Sequence, residues 1–408
     1  MINITEKSNC CGCSACVQRC PTQCITLKED KEGFLYPQID KNKCIECNLC
    51  EKICPLINSS EKISPIQVIA VKNRNEEERL DSSSGGVFIA LAKYIISQGG
   101  VVFGAVFDEK WEVKHTYAEI IEGIKPMMGS KYMQSRIENT FSEAEQFLKQ
   151  GRKVMYTGTP CQITGLKKYL RKEYSNLLTV DFLCHDVPSP GVWRKYLNEL
   201  PFVTNTVKQN QNTSSNRNVF SFISDIEFRN KTLNGWKEFN FVIRRHSSII
   251  NGNSILLSNI HSNNSYMSGF LSNLYLRPSC YQCRCKNGVS HSDLTIADYW
   301  GIDALMPDFY DEKGVSLVLV NSVQGEKIFS KLDMDIRYSS LEDAKPLNGG
   351  FKELITQHQK RSFFFKELNK GVTFEYAVNK ALKVSILEKV LNKISHVVGY
   401  IKSTSCNK

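Results

Sequence analysis

The chain of 408 residues has no apolar run that approaches the length needed to cross a bilayer. The longest run, residues 87–96, is interrupted by Lys93 and is better explained as a packed helix. Residues 1–9 (MINITEKSN) lack the apolar stretch of a secretory leader. The sixteen cysteines therefore predict a reducing compartment, and we expect a cytoplasmic protein.

Several common catalytic and nucleotide-binding motifs are also missing. Neither G-x-G-x-x-G nor a Walker loop occurs, so the ordinary dinucleotide and triphosphate fingerprints are excluded. The order Cys-x3-Cys-x2-Cys of radical S-adenosylmethionine enzymes is absent, and no Ser-His-Asp or paired-carboxylate arrangement can be argued. The sequence therefore predicts no catalytic side chain, and we expect bound cofactors to supply the chemistry.

What the chain does have is a repeated cysteine spacing. CCGCSACVQRCP (10–21) and CIECNLCEKICP (44–55) both read C-x-x-C-x-x-C-x-x-x-C-P. Three such thiolates can surround one face of a 4Fe–4S cubane, while the fourth ligates the neighbouring cluster. Zinc ribbons use separated cysteine pairs and disulfides need a secreted chain, so neither alternative fits. The spacing predicts one cluster on Cys10, Cys13, Cys16 and Cys54, a second on Cys44, Cys47, Cys50 and Cys20, and packing roles for Cys11 and Cys24.

The formal net charge of +10 does not indicate nucleic-acid binding. Each cluster with its four thiolates contributes about −2, so three clusters would leave roughly +4. The basic residues are also scattered, and the group Lys167, Lys168, Arg171 and Lys172 is interpreted as one solvated helix face. Because exposed clusters are oxidised easily, the cysteines favour an anaerobe as the source.

Four segments are predicted along the chain. Residues 1–60 form a dicluster ferredoxin-like module, with a hairpin that turns at Asp30–Gly33 between the cysteine copies. In residues 61–145 and 146–345, strands alternate with helices, which predicts an α/β domain with a mixed sheet covered by helices. Residues 346–408 are expected to form a peripheral helical tail. Strands are expected at 66–73, 101–108 and within 176–190, helices within 82–100, 137–151 and 153–170, a hairpin across 226–245 with its turn at Asn234–Gly235, and a surface loop at 204–218.

Four more cysteines stand at strand ends and in a turn. Cys161 and Cys184 each follow a predicted strand, and Cys280 and Cys283 lie two residues apart. In a doubly wound sheet, ligand loops meet at the carboxyl ends of the strands, so the first two thiols could share one crevice with the pair. Spacing alone leaves zinc or unrelated buried thiols open, with Cys285 and His185 as further candidates.

At this point the motifs resemble the family of coenzyme F-420 hydrogenase/dehydrogenase beta subunits, from Cys10 to about Asp303. The resemblance implies an α/β domain behind a ferredoxin-like module, with flavin adenine dinucleotide (FAD) and 4Fe–4S centres. It also implies a third cluster on Cys161, Cys184, Cys280 and Cys283. The matching words are DSSSGGVF, GAVFD, GSKYMQS, YTGTPCQITGLK, LCHDVPSP, FRNKTLNGWK, GFLSNLYLRPSCYQC and SDLTIADYWGI.

Two of these words are expected to contact the flavin. Small residues at the start of a helix offer free backbone amides to a pyrophosphate, and a lysine could stabilise a reduced, anionic flavin. Alternatives are a helix capped by serine and a solvated surface lysine. The expected contacts are Ser84, Gly85, Gly86, Lys131, Tyr132, Gln134 and Ser135.

Some positions depart from the family pattern. Asp186 and Ala297 replace common glycines, and Tyr299 replaces a common phenylalanine. The family also occurs in bacteria without the deazaflavin coenzyme, where polysaccharide or cell-surface modification is a possible setting. The sequence therefore predicts an iron–sulfur flavoprotein oxidoreductase that works with a redox partner protein or a soluble electron carrier. A flavin-free electron-relay subunit is the alternative, and the donor, acceptor and oligomeric state stay open.

Overall fold

The computed structural model describes residues 1–212, 219–247, 252–352 and 354–383. The strands are β1 (Ile25–Glu29), β2 (Leu35–Ile39), β3 (Gln67–Asn73), β4 (Val101–Phe107), β5 (Val113–Ala118), β6 (Val154–Gly158), β7 (Leu177–Phe182), β8 (Ile223–Asn230), β9 (Asn240–Ser247), β10 (Gly252–Ile260), β11 (Leu294–Asp298), β12 (Ser316–Val320) and β13 (Met334–Ser339). The α-helices are α1 (Ala15–Gln18), α2 (Leu49–Lys52), α3 (Glu76–Asp81), α4 (Val87–Ser97), α5 (Thr140–Lys149), α6 (Pro160–Leu170), α7 (Pro190–Asn198), α8 (Pro201–Asn212), α9 (Ser265–Leu271), α10 (Ile302–Leu305), α11 (Val323–Phe329), α12 (Leu341–Ala344), α13 (Arg361–Asn369) and α14 (Phe374–Leu382). Short 3-10 helices lie at Lys7–Asn9, Ile121–Gly123, Lys125–Met127, His261–Asn263, Pro278–Gln282 and Gly349–Phe351.

The N-terminal module has the predicted ferredoxin-like form. α1 and α2 lie within the two cysteine copies, and β1 pairs with β2 antiparallel between them. The hairpin turns where predicted, because the Gly33 amide donates to the Asp30 carbonyl at 3.0 Å and Gly33 has a φ of 86°. A Cβ on Gly33 would meet the backbone of Gly191 at the start of α7, so glycine allows the hairpin to touch the main domain.

Of the described strands, eight form one mixed sheet in the order β13-β3-β12-β11-β7-β6-β4-β5. The central strands β11, β7, β6 and β4 are parallel, and the pairs outside them are antiparallel. The mixed α/β sheet is therefore confirmed. Strands from before and after residue 145 share this sheet, and the predicted boundary between residues 145 and 146 falls inside α5.

Helices cover both faces of the sheet. α4 begins after Gly86 and ends before Gly99, and its buried Leu91 and Ile95 belong to an apolar cluster with Val102 of β4. Apolar residues of α5 and α6 form a second cluster with residues of β4 and β6 and with several N-terminal cysteines. The ferredoxin-like module therefore packs against the α5–α6 layer.

The three-stranded sheet β10-β9-β8 is antiparallel and separate from the large one. Asn230 pairs with Asn240, so the predicted hairpin is present, but its connection spans residues 231–239 rather than a tight turn at Asn234–Gly235. The third strand, β10, was not predicted. The expected surface loop at 204–218 is wrong for residues 204–212, which continue α8 from the buried Val203; residues 213–218 lie outside the described residues.

The C-terminal segment is helical through α13 and α14, as far as the structure describes it. It is not peripheral, because Phe364, Phe374 and Val378 are buried in one cluster with Trp193. In addition, Arg361 Nη1 donates to Glu32 Oε1 at 2.8 Å, which connects α13 to the ferredoxin hairpin. Within the described residues, no helix is long and apolar enough to span a membrane.

Candidate functional site

The two cysteine copies of the module adopt the same backbone conformation. Gly12 and Glu46 have φ of 73° and 52°, and Ser14 and Asn48 have φ of 61° and 56°. Left-handed residues therefore precede and follow the second cysteine of each copy, and a four-residue helix comes next. Such alternating backbone lets successive thiols turn toward one centre, which fits the cubane geometry predicted from the spacing.

Some thiols of the two copies lie close to one another, while the crossed ligand assignment stays a prediction. Burial raises the pKa of Cys16, and the nearby Cys10, Cys54 and Cys50 thiols raise it further. Cys54 from the second copy therefore lies with the first copy. In turn, the Cys20 sulfur lies 3.4 Å from that of Cys24, which also contacts Cys44 of the second copy.

The later four cysteines also converge. Cys161 lies in the first turn of α6 after β6, and Cys184 follows the adjacent parallel strand β7. Burial raises the pKa of Cys184 well above its usual range, and Asp186, Cys161 and Cys283 add to the shift. The pKa of Cys280 is raised by burial, then by Asp186, Cys184 and Cys283. The structure therefore brings this predicted set together; His185 instead packs edge-on against Phe270, with ring centroids 5.4 Å apart.

All members of each predicted ligand set are cysteines, which are the usual ligands of 4Fe–4S clusters. In the part of the chain that the structure describes, no three Cys, His, Asp or Glu side chains are close enough to hold one metal ion. The choice of clusters over zinc ions stays a prediction from the spacing and the resemblance.

Cys11 and Cys285 lie between the first and third thiol groups. The Cys11 thiol is buried and interacts with both Cys13 and Cys161. The Cys285 thiol is fully buried, and it interacts with Cys161 and, more weakly, with Cys54. A Cβ on Gly165 of α6 would press on Cys13, so the first thiol group lies against α6 at this residue. Cys161 of the third group lies about one helical turn earlier, so the two groups are roughly 6 Å apart along α6.

Arg277 connects the same two regions from another side. It is fully buried, and it precedes Cys280 by three residues. Its Nε donates to the Cys10 carbonyl at 2.8 Å, its Nη2 lies 3.6 Å from the Cys10 sulfur, and its Nη1 donates to Gln134 at 2.7 Å. A buried cation therefore touches a predicted ligand sulfur of the first cluster.

A cavity of about 630 Å³ opens at the carboxyl edge of the central strands. Cys184 and Asp186 line one side of it, so the third thiol group borders the cavity. Of the predicted flavin contacts, five lie on its walls: Ser84, Gly86, Lys131, Tyr132 and Ser135.

Two predicted contacts lie elsewhere among the described residues. Gln134 is turned toward the ferredoxin-like module, where its amide donates to the Cys11 carbonyl at 2.9 Å. The Gly85 amide donates to Ser316 Oγ at 2.9 Å, and this glycine packs under Val71. Gly85 and Gln134 therefore do not line the cavity, and their contact with a flavin stays a prediction.

The serine loop before α4 is shaped by side chains, but it does not cap the helix. The N-cap is Gly86 in the left-handed conformation, with no side-chain cap bond in the described structure, so the serine-cap alternative is wrong. Ser83 Oγ instead accepts from the Ser130 amide at 2.7 Å, and Ser84 Oγ donates to the Val315 carbonyl at 3.0 Å. Gly86, Val87 and Phe88 at the start of α4 line the cavity, and no side chain caps this end of the helix in the described structure.

Two lysines support this wall. Lys131 Nζ donates to the Met128 carbonyl at 2.9 Å, and burial lowers the Lys131 pKa to about 8 despite the opposing charge of Asp225. Lys231 was not predicted; its buried Nζ donates to the carbonyls of Ser84 at 2.9 Å and Lys313 at 2.6 Å. Through these bonds Lys231 holds the serine loop in place.

Other cavity residues also escaped the sequence analysis. His115 Nε2 donates to the Thr157 carbonyl at 3.0 Å, and burial lowers the His115 pKa to about 4, so the ring is neutral. Burial raises the pKa of Asp181 to about 6, although Ser290 and Thr295 hydroxyls donate to it at 2.5 and 2.6 Å. Arg229 stands at the far end, beside Asp298. Arg229 and Lys231 both lie in the motif FRNKTLNGWK, which could have indicated them from the sequence.

Comparison with known proteins identifies two domains. Residues 151–344 match the model that describes the C terminus of the coenzyme F420 hydrogenase/dehydrogenase beta subunit, and residues 9–56 match the 4Fe–4S dicluster domain.

Individual relatives match more narrowly. The coenzyme F420-dependent sulfite reductase of Methanocaldococcus jannaschii is 27% identical over 170 residues, which are 40% of this chain and 26% of that protein. The F subunit of the F420H2 dehydrogenase of Methanosarcina mazei is 26% identical over 201 residues, which are 45% of this chain and 57% of that protein. The chain thus spans less than two thirds of either relative. A chain of the F420-reducing NiFe hydrogenase complex from Methanosarcina barkeri superposes with a TM-score of 0.44 and 17% identity, covering 70% of this chain and 86% of that one.

Proposed function

Because the chain carries a 4Fe–4S dicluster domain ahead of the C-terminal domain of coenzyme F420 hydrogenase/dehydrogenase beta subunits, we propose that it is an iron–sulfur flavoprotein oxidoreductase. A flavin, when bound, exchanges two electrons or a hydride with a donor and single electrons with clusters. The residues described above would bind the cofactors, orient them and exclude water.

One observation carries this proposal. The cavity has the serine loop and Lys131 on one wall and Cys184 of the third thiol group on another. A planar redox cofactor in this space would lie next to a cluster-sized set of thiols. A relay subunit without a flavin has no need for a cavity of about 630 Å³ beside its clusters.

In this proposal the thiol groups would supply a route for electrons away from the cavity. The third group borders the cavity, Cys11 and Cys285 lie between it and the first N-terminal group, and Cys20 of the first cysteine copy would be a ligand of the second cluster. Cys47 of the second group is exposed, so one-electron exchange with a partner protein would occur there.

The wall residues have defined tasks in this proposal. Gly86 and the first amides of α4 would bind a phosphate, while Lys131 would supply positive charge to a reduced flavin. His115 is neutral and would act as a hydrogen-bonding group rather than as a cation. The relatives named above make coenzyme F420 the first donor to try, and a role in polysaccharide or cell-surface modification stays a prediction of the resemblance.

The test is cofactor analysis after anoxic purification. We expect about twelve irons and one FAD per chain, whereas about eight irons without flavin would contradict the proposal in favour of a relay subunit. The variant Cys283→Ala should lose about four irons because it removes a ligand of the third cluster. Cys24→Ala is the matched control, since Cys24 is predicted only to pack, and it should keep all of them.

A further inference from the structure

A buried lysine lies beside the third thiol group. Lys286 follows Cys283 by three residues and is 4% exposed. In the described structure its ion pair is with Asp186, whose Oδ1 lies 3.6 Å from the Lys286 Nζ. At that distance the ammonium has no hydrogen-bond partner among the described residues. A buried ammonium is costly unless negative charge nearby compensates it, so a single carboxylate at 3.6 Å compensates Lys286 only in part.

The partner is an uncommon residue for its backbone conformation. Asp186 has a φ of 81°, which favours glycine, and glycine is common at this position in the family that the sequence resembles. The Asp186 side chain is buried, and its Oδ2 also lacks a hydrogen-bond partner among the described residues. The chain therefore carries two opposite buried charges at this place, and the described protein satisfies neither of them fully.

Both charged residues are fixed to predicted cluster ligands through their backbone. The Asp186 amide donates to the Cys184 sulfur at 3.2 Å, and Asp186 lines the cavity. The Lys286 amide interacts with the Cys283 thiol, on the strand-free segment that also carries Cys280. The ion pair therefore connects the two halves of the third thiol group.

The two charges act on different thiols. Burial raises the pKa of Cys184 and of Cys280, and the Asp186 charge is the next largest cause for both. Burial also raises the pKa of Cys283, but there the Lys286 charge opposes the shift more strongly than the Asp186 charge adds to it. The negative end of the ion pair therefore lies toward Cys184, and the positive end lies toward Cys283.

A 4Fe–4S cluster carries one more negative charge when it is reduced, so fixed charges beside it change how readily it accepts an electron. We propose that Lys286 and Asp186 are positioning residues that set the reduction potential of the third cluster, which Lys286 raises and Asp186 lowers. This role deepens the proposed function and rests on it, because it requires the third cluster.

The experiment is an EPR-monitored redox titration of the anoxically purified full chain at pH 8, with iron measured on the same samples. The variants are Lys286→Met, Asp186→Asn and the double variant, and Cys283→Ala identifies the signal of the third cluster by its loss. Met and Asn keep the size of the side chains, and Asn tolerates a positive φ. Lys352→Met is the matched control: the Lys352 charge also reaches His185, next to Cys184, but this lysine is exposed, so water screens it.

Opposite shifts in the two single variants are the expected result. At a fixed solution potential, the ratio of reduced to oxidised third cluster should fall about tenfold in Lys286→Met and rise about tenfold in Asp186→Asn, which corresponds to about 59 mV for a one-electron couple. The double variant should return toward wild type, and the control should not change.

The other outcomes would contradict the proposal. Unchanged ratios, or shifts in the same direction, in variants with about twelve irons would overturn the tuning and leave the proposed function intact. If one single variant loses four irons, the direction of the shift in the other decides. If both lose them, the pair only holds the cluster in place, and the tuning is refuted. A wild-type chain with only about eight irons would instead refute the proposed function.

Discussion

Arg277 offers the sharpest test of how the main domain affects the clusters of the ferredoxin-like module. It is a buried cation whose Nη2 lies 3.6 Å from the sulfur of Cys10, a predicted ligand of the first cluster. A positive charge at this position stabilises the reduced cluster, which carries one more negative charge than the oxidised cluster. Replacing Arg277 with Gln should therefore lower the reduction potential of that cluster.

The size of the shift follows from the geometry. The guanidinium lies about 6 Å from the cluster centre, and an effective dielectric constant of about 20 gives an interaction of about 3 kcal/mol. For a one-electron couple, about 1.4 kcal/mol corresponds to 59 mV, so the potential should fall by about 120 mV. The cluster next to Cys47 lies further away and should shift far less.

The assay is an EPR-monitored redox titration of the anoxic protein, with iron content measured on the same sample. Arg277→Lys keeps the charge and should preserve most of the potential. Arg74→Gln serves as a control, because Arg74 is exposed and pairs with Asp335 of β13 at 2.8 Å. An Arg277→Gln protein with full iron and unchanged potentials would refute the electrostatic role.

Three further predictions follow from buried charges. Lys131 has a pKa lowered to about 8, so its charge is lost above that pH. Between pH 7 and 9 the potential of the proposed flavin should fall more steeply in wild type than in Lys131→Met, and the two potentials should differ by about 60 mV at pH 7. Spectroelectrochemistry measures both, and parallel curves would contradict the assignment. Asp186 has a φ of 81° and pairs with buried Lys286 at 3.6 Å. Asp186→Gly should therefore relieve about 1 kcal/mol of backbone strain, but it leaves Lys286 as an unpaired buried charge, which destabilises the fold by about 3 kcal/mol. Its melting temperature should fall, the double variant with Lys286→Met should recover it, and an increase in the single variant would show that strain dominates. Asp181 has a pKa raised to about 6, so its stabilising contribution is complete below about pH 4 and is lost as the pH rises through 6. In urea unfolding, the free energy of unfolding of wild type should therefore fall by about 3 kcal/mol relative to Asp181→Asn over that range. A constant difference between the two proteins would refute the burial argument.

Much of the fold was predictable because it depends on local spacing. The cysteine repeat determines the module, and the alternation of apolar strands with helices determines the mixed sheet; the family models confirm both the dicluster domain and the resemblance. α8 was missed because its polar sequence resembles a loop; among its described side chains, Val203 is buried in the core and Phe202 packs against the same cluster. For its described residues up to 383, the expected peripheral position of the tail was wrong, because Phe364 and Phe374 lie in one buried cluster with Trp193, far earlier in the chain.

The candidate site, too, was predictable from the sequence only in part. The convergence of Cys161 and Cys184 follows from adjacent parallel strands, which a sequence pattern can indicate. Arg229 could not be ranked from sequence, because its buried ion pair is with Asp298, 69 positions later in the chain. Gln134 looked like part of a ligand loop, yet its direction is decided by Arg277 and Cys11, which the local sequence does not specify.

The ferredoxin-like module is clasped at three points: Gly33 against Gly191, Glu32 by Arg361, and Cys10 by Arg277. A module held this way cannot swing like a tethered carrier domain, so internal transfer rates should not change with solvent viscosity. The same three contacts also bear on the order of cluster assembly and docking. Since the closed arrangement buries Cys13 and Cys54, we expect the first cluster to be assembled before the N-terminal segment docks on the main domain.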